Sequence, residues 1–148
     1  MQHLTVQIMR LPGYDGPLPD YQSDHAAGMD VHAWLEFPNV IDPGRIEMIA
    51  TGFAMAVPVG YEAQVRPRSG LASKHGLTLP NSPGTIDADY RGPVKIPLIN
   101  LGREPVTITP GMRIAQMLIT PVPRVQWQEV DSLDATPRGE GGFGHTGH

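Results

Sequence analysis

The stretch from Gly84 to Asn100 (GTIDADYRGPVKIPLIN) concentrates the polar side chains that could do chemistry. Two carboxylates, a tyrosine and an arginine stand within five residues, at Asp87, Asp89, Tyr90 and Arg91, and an apolar alternation follows them. A dense polar cluster placed against a predicted strand is a candidate for catalysis. The same composition is typical of a hairpin tip, because Asp and Gly tolerate turn geometry and bond their own backbone. This stretch alone leaves both interpretations open.

A second candidate is the run Arg68, Ser69 and Gly70, which follows a predicted strand. Residues 71–75 are predicted to form one helical turn with Ser69 as its N-cap. A helix N-terminus offers free backbone N–H groups and a positive dipole end, and the arginine fork matches phosphate oxygens, so the run is a candidate anion site. The alternative is a capped surface turn with a solvated arginine, because motifs this short often occur by chance.

Asp30 is a lone acid within the apolar segment AAGMDVHAW. Burying an ionised carboxylate is costly unless it is paired. Asp30 is therefore predicted to bond neighbouring backbone groups or a basic partner, or to help hold a cation. The residues around it do not decide among these roles.

The last dozen residues, 137–148 (PRGEGGFGHTGH), differ in composition from the rest of the chain. They are rich in glycine and hold too little apolar surface to offset the entropy of ordering, so we expect a flexible tail. A frayed terminus is the usual interpretation of such a segment. However, one cation, Arg138, and one aromatic ring, Phe143, suit a flap that closes over a charged, planar ligand.

Several common kinds of site are excluded by the sequence. The segment 139–144 (GEGGFG) matches G-x-G-x-x-G, but a dinucleotide fingerprint must open a helix, and only four residues follow. The chain has no P-loop motif, no H-E-x-x-H and no cysteine, so a thiolate nucleophile and a disulfide framework are both excluded. Its six histidines lack the spacing of metal ligands.

Length and charge restrict the class of protein further. A chain of 148 residues is most simply one domain with its own core. A net charge of −4 argues against general binding of nucleic acid, which needs clustered basic residues. We find neither a secretory leader nor an apolar run long enough for a membrane span, and so predict a cytoplasmic protein with no membrane or nucleic-acid partner.

Alternating apolar residues and frequent Gly and Pro predict many short strands and no long helix. Turn signals recur every 8 to 12 residues, the spacing of a sandwich or barrel. We therefore predict an all-β, jelly-roll-like domain over residues 1–136, followed by the tail. A turn at residues 58–60 predicts a hairpin, and the run before it has room for two strands. The predicted strands are 4–11, 29–37, 46–57, 61–65, 94–100, 105–109, 113–122 and 125–130.

Five segments taken together resemble the trimeric dUTPase family. They occur in that family's order and spacing, and the glycine-rich segment lies at the end of the chain. They begin at Ala26 (AAGMDVHA), Arg66 (RPRSGLA), Asn81 (NSPGTIDADYRG), Arg113 (RIAQMLI) and Arg138 (RGEGGFGHTG).

The resemblance implies a jelly-roll homotrimer with shared active sites that hydrolyses dUTP to dUMP and pyrophosphate. Such an enzyme limits uracil in DNA and supplies dUMP for thymidylate synthesis. Water would attack the α-phosphorus, with Mg²⁺ bound to the triphosphate and Asp87 as the general base. Asp30 would support the magnesium through water.

The resemblance also implies roles for the remaining site residues. Tyr90 would stack under the deoxyribose and exclude a 2′-hydroxyl. Asn81 would read uracil, and Phe143 would cover its ring when the tail closes. Phosphate contacts would come from Arg68, Ser69, Gly70, Gln116 and Arg138. His145 stands where many members of the family have serine, and a histidine there could add a pH dependence near neutrality.

Two other functions are compatible with the same fold. A dCTP deaminase would need a catalytic glutamate in the strand at 94–100, and that strand has no acid. A nucleotide-binding trimer without catalysis would explain the fold, but it gives Asp87 and the tail no purpose. The deaminase would release ammonia from dCTP, and the silent trimer would bind dUTP without producing pyrophosphate.

Overall fold

The computed structural model describes residues 3–147; residues 1 and 2 of the predicted domain and His148 of the predicted tail lie outside that range. The described chain forms short strands and one helix, α1. The strands are β1 (Gln7–Arg10), β2 (Asp20–Tyr21), β3 (Met29–His32), β4 (Asn39–Ile41), β5 (Ile46–Ala50), β6 (Phe53–Ala56), β7 (Tyr61–Arg66), β8 (Leu77–Thr78), β9 (Gly84–Ile86), β10 (Lys95–Asn100), β11 (Val106–Ile108) and β12 (Arg113–Pro121), and α1 is Ser69–His75.

The strands pair antiparallel in four sheets. The largest has the order β2-β3-β12-β7-β9, and a three-stranded sheet has the order β5-β10-β8. The pairs β1-β6 and β11-β4 complete the arrangement. The prediction of an all-β domain is confirmed.

One hydrophobic core lies beneath these sheets, as the period-2 patterns require. In β10, Ile96, Leu98 and Asn100 are buried, whereas Lys95 at the start of the strand is exposed. Asn100 is fully buried but satisfied: its amide donates to the carbonyls of Ile41 and Glu104 at 2.9 and 2.8 Å, and its oxygen accepts from a backbone N–H. The amide therefore ties β4 and the loop after β10 to the core.

Two predicted elements are wrong. The turn at 58–60 does not close a hairpin, because β6 pairs with β1 while β7 pairs with β12 and β9. Residues 125–130 form no strand: they are exposed, and no strand in the described range pairs with them. Alternation alone does not form a strand, because its backbone groups need a neighbouring ladder.

The remaining strands are confirmed, several with shorter bounds than predicted. The run 46–57 divides into β5 and β6, and the run 29–37 ends as a strand at His32. Within residues 3–147, no helix is long and apolar enough to span a membrane.

Candidate active site

Asp30 lies between two arginines from other segments of the chain. Its Oδ1 is 3.4 Å from Arg68 Nε, and its Oδ2 is 3.2 Å from Arg113 Nη1. Asp30 is only 9% exposed, and the two arginines supply the opposite charge that a buried carboxylate requires. We call these three residues the acid–arginine cluster. Of the roles that the sequence left open for Asp30, the structure shows the basic partner.

Gln116 lies beside this cluster. It lies on β12, opposite Asp30 of β3 on one side and Arg66 of β7 on the other. Its Nε2 donates to the carbonyl of Pro67 at 3.0 Å, immediately before Arg68. Three of the predicted site residues, Asp30, Arg68 and Gln116, are therefore adjacent in the folded chain.

The helix α1 begins at Ser69, two residues before the helical turn predicted at residues 71–75. Ser69 is its first helical residue, and the N-cap is Arg68, with an extended backbone (φ −84°, ψ 128°) and no side-chain cap. The prediction of Ser69 as N-cap is thus wrong, and its hydroxyl is not used on the helix end. Ser69 and Gly70 are exposed beside the acid–arginine cluster. The helix ends at Gly76, which adopts the left-handed conformation that glycine favours (φ 67°).

Asp87 and Tyr90 lie on the loop between β9 and β10. Because β9 and β10 belong to different sheets, this loop connects sheets and is not a hairpin tip. The Tyr90 N–H bonds the Asp87 carbonyl at 3.1 Å, and Arg91 donates to the carbonyls of Ala88 and Tyr90 at 2.7 and 3.0 Å. Arg91 thus pairs locally, whereas the carboxylates of Asp87 and Asp89 are both exposed.

The Tyr90 ring is fixed at its far end. Its hydroxyl donates to the Pro93 carbonyl at 2.9 Å, and the ring lies over Gly92. A Cβ at Gly92 would lie 2.5 Å from Tyr90 Oη and 2.7 Å from Cζ. The ring position therefore depends on the absence of a side chain at residue 92.

The single chain does not bring Asp87 to the acid–arginine cluster. Val65 pairs with Gly84 and Ala63 with Ile86, so Asn81 lies near the Arg66 end of β7, while Asp87 continues toward the opposite end. At about 3.3 Å per residue, Asp87 stands roughly 13 Å along the strand from Arg66. The predicted base and the predicted phosphate residues are therefore separated within the single chain.

Arg138 and Phe143 lie in the tail, where the recorded bond of Arg138 is to another tail residue. Arg138 Nε donates to the Gly141 carbonyl at 2.7 Å, and Phe143 is fully exposed with a positive φ of 50°. Exposure continues through residues 123–136, where Trp127 and Leu133 are 90% and 85% exposed. Apolar side chains this exposed indicate a surface that an additional chain could cover.

His32 follows Asp30 on β3 and borders the acid–arginine cluster. Burial lowers its pKa below the ordinary value, Asp30 opposes that change, and Arg113 and Arg68 add to it. A histidine with a lowered pKa is neutral at pH 7. The net charge of the cluster is therefore set by one carboxylate and two guanidinium groups.

The donor set does not form a metal cage of its own. Among residues 3–147, no three His, Asp or Glu side chains converge on one point. Asp30 is the carboxylate of the cluster, and both of its oxygens face guanidinium groups. Mg²⁺ prefers one or two carboxylates together with substrate phosphates and water, so a magnesium ion here would have to take most of its ligands from phosphate and water.

Three residues with a part in the site were missed from the sequence: Arg113, Gly28 and Gly92. Arg113 is the first residue of one of the five segments and lies three residues before Gln116 on the same strand. That position is the signal from which its part in the site could have been predicted. Each of the two glycines leaves room for a neighbouring side chain because it has no side chain of its own. That neighbour can be identified only in the folded chain. A Cβ at Gly28 would lie 2.4 Å from Gln116 Oε1.

The chain is similar in sequence and in fold to known proteins. The model of the dUTPase family matches residues 15–147. A deoxyuridine 5′-triphosphate nucleotidohydrolase of Rickettsia felis is 56% identical over 142 residues, covering 96% of each chain. The protein of that name from Desulfotalea psychrophila is 62% identical over 130 residues, covering 88% of this chain and 87% of that one.

A solved structure of the dUTPase of Staphylococcus bacteriophage 80alpha with dUPNHPP is also similar. It is 26% identical, has a TM-score of 0.82, and covers 97% of this chain and 99% of that one. The prediction of a jelly-roll-type β fold is confirmed by this likeness.

Proposed function

Because the chain belongs to the dUTPase family, we propose that it hydrolyses dUTP to dUMP and pyrophosphate. The observation that carries this proposal is the family match over residues 15–147, which includes all five segments quoted above. The structure adds support, because Asp30, Arg68 and Gln116 from three of those segments meet. The substrate is proposed to be the magnesium complex of dUTP.

Asp87 is proposed to orient and deprotonate the attacking water. Its exposed carboxylate can accept one proton as the water oxygen bonds to the α-phosphorus and the bond to the bridging oxygen breaks. Pyrophosphate carries away the electron pair of the broken bond. When bound, Mg²⁺ neutralises charge on the phosphoryl oxygens.

The acid–arginine cluster is proposed to position the phosphates. Arg68 uses Nε on Asp30 and Nη1 on the Arg113 carbonyl at 3.4 Å, and its Nη2 donors are available to phosphate oxygens. The exposed Ser69 hydroxyl and the Gly70 backbone lie beside it. Asp30 would support a bound magnesium ion through water, and it also orients the Arg68 side chain.

Asn81 and Tyr90 are proposed to select the nucleoside. The amide of Asn81 can donate and accept, as a uracil edge requires. The anchored ring of Tyr90 presents a flat face to the sugar and leaves no room for a 2′-hydroxyl. Arg138 and Phe143 complete the site when the tail, residues 137–148, closes over the γ-phosphate and the base.

We further propose a homotrimer in which each site combines residues of different protomers. The separation of Asp87 from Arg68 along β7 supports this proposal, as does the exposed apolar segment 123–136. A partner chain would bury that segment and bring a second set of site residues to Asp87.

Mixing two inactive variants tests the shared site. Arg68→Ala and Asp87→Asn trimers are unfolded and refolded together, and each is treated alone as the control. If one protomer supplies Asp87 and another supplies Arg68, random trimers regain about a quarter of wild-type activity, because one ordered pair in four is intact. No recovery in verified mixed trimers would place both residues in one protomer.

The reaction itself is tested with a substrate panel. Pyrophosphate release is measured from dUTP, UTP, dCTP and dTTP, with and without magnesium, and ammonia release is measured from dCTP. Magnesium-dependent turnover of dUTP alone supports the proposal. Ammonia from dCTP with dUTP left intact would identify a deaminase, and binding without turnover would identify a silent nucleotide-binding trimer.

A further inference from the structure

Gly28 lies directly against the side chain of Gln116. A Cβ at residue 28 would be 2.4 Å from Gln116 Oε1, 3.2 Å from its Cβ and 3.3 Å from its Cδ. Carbon atoms in favourable contact are about 3.5–4.0 Å apart. A methyl group at residue 28 would therefore displace the Gln116 amide, and the rest of that side chain would have to shift by a few tenths of an ångström.

The Gln116 amide, for which Gly28 leaves room, makes a specific hydrogen bond. Gln116 Nε2 donates to the Pro67 carbonyl at 3.0 Å, at the residue that precedes Arg68 and α1. Gln116 is partly buried on the central strand β12, so its amide is fixed by strands on both sides. One hydrogen of that amide remains for a phosphate oxygen.

We propose that Gly28 is a positioning residue of the active site, which leaves room for Gln116 to fix the backbone of residues 67–70. This inference rests on the proposed function, because it assigns Gly28 a part in binding the triphosphate. Gly28 touches no substrate itself. It acts through Gln116, which sets where Arg68, Ser69 and Gly70 meet the phosphates.

A double-mutant cycle of Gly28→Ala and Gln116→Ala tests the coupling. Alone, Gly28→Ala should raise the KM for dUTP about two- to tenfold, the worth of one hydrogen bond, with a smaller change in kcat. In the Gln116→Ala background the same substitution should change KM by less than about twofold, because the methyl group enters vacated space. Equal effects in both backgrounds, or a wild-type KM for Gly28→Ala, would overturn the proposal.

Gly44→Ala is the matched control. Gly44 has a φ of 79° and nothing within 4 Å of its Cβ position, so alanine there strains the backbone without approaching the site. Its thermal stability should fall while its KM stays at the wild-type value. A KM rise equal to that of Gly28→Ala would show that lost stability alone explains the effect, against the proposal.

A second variant and a readout independent of turnover keep the test decisive if Gly28→Ala fails to fold. Gln116→Met keeps the length of the side chain and removes the donor. The Ala72 N–H bonds the Arg68 carbonyl at 3.0 Å, so its amide exchange reports on the start of α1. Exchange should be faster in Gln116→Met and in any folded Gly28→Ala protein, and unchanged exchange would overturn the proposal.

This readout also separates two failures. If the wild-type protein releases no pyrophosphate from dUTP, the proposed function fails. The exchange rates would still decide whether Gly28 and Gln116 position residues 67–70.

Discussion

Replacing Gly92 by alanine should weaken the discrimination between dUTP and UTP. The added Cβ would lie 2.5 Å from the Tyr90 hydroxyl oxygen and 2.7 Å from Cζ, about 1 Å inside normal contact. Tyr90 is 44% exposed, so its ring can swing toward solvent and relieve the overlap. The loop keeps its backbone, but the surface proposed to face the sugar moves.

The size of the effect follows from the contact that is lost. Displacing the ring breaks the 2.9 Å hydrogen bond from Tyr90 to the Pro93 carbonyl, worth about 0.5–1.5 kcal/mol. If discrimination depends on the anchored ring, the ratio of kcat/KM for dUTP to that for UTP should fall about two- to tenfold. Stability should change little, because alanine in an exposed loop also restricts the unfolded chain.

The assay is pyrophosphate release from both nucleotides by wild type, Gly92→Ala, Tyr90→Phe and Tyr90→Ala. Tyr90→Phe removes the anchor and keeps the ring, so it should lose no more discrimination than Gly92→Ala. Tyr90→Ala removes the ring and should lose the most. An unchanged dUTP preference in Gly92→Ala, with the ring shown to be displaced, would refute the reasoning and place the sugar elsewhere.

Three further changes probe the base, the tail and the core. Asp87→Asn should keep the affinity for a non-hydrolysable dUTP analogue and lower turnover by about 10²- to 10⁴-fold; unchanged turnover would remove Asp87 from the role of base. Deleting residues 137–148 should leave an assembled protein with little activity, whereas full activity would make the tail an ordinary frayed end. Asn100→Ala removes the side-chain partner of the Ile41 and Glu104 carbonyls and of the Gly102 N–H, of which the Ile41 bond is buried, and should cost about 1–3 kcal/mol in urea unfolding at fixed protein concentration. A loss below about 1 kcal/mol would show that those groups find other partners.

The fold class could be predicted because its signal is local. Period-2 alternation and frequent turn residues can be read from each segment by itself. The buried and less buried residues of β10 follow that alternation. Strand partners are not local. The turn at 58–60 looked like a hairpin because adjacency in sequence is the usual guide, yet β6 and β7 pair with strands far away in the chain.

The site was predictable only in part, for a related reason. The sequence indicates that Asp30 is a buried acid that needs a partner. Its partners, Arg68 and Arg113, lie 38 and 83 residues further along the chain, and no sequence motif relates residues so far apart. Gly28 and Gly92 carry no chemical signal, because their contribution is an empty volume beside Gln116 and Tyr90. Such roles appear only when the packing is known.

Strand β7, next to the central strand β12, connects the two separated parts of the proposed site. Ala63 and Val65 are buried, and β7 pairs on one side with β12, which carries Gln116, and on the other with β9, which leads to Asp87. Two antiparallel ladders thus hold Gln116 and the strand that leads to Asp87 in fixed positions within the chain. We expect the tail to be the part that moves. Changes to the strands should therefore alter binding and chemistry together, whereas changes to the tail should alter closure over the bound nucleotide.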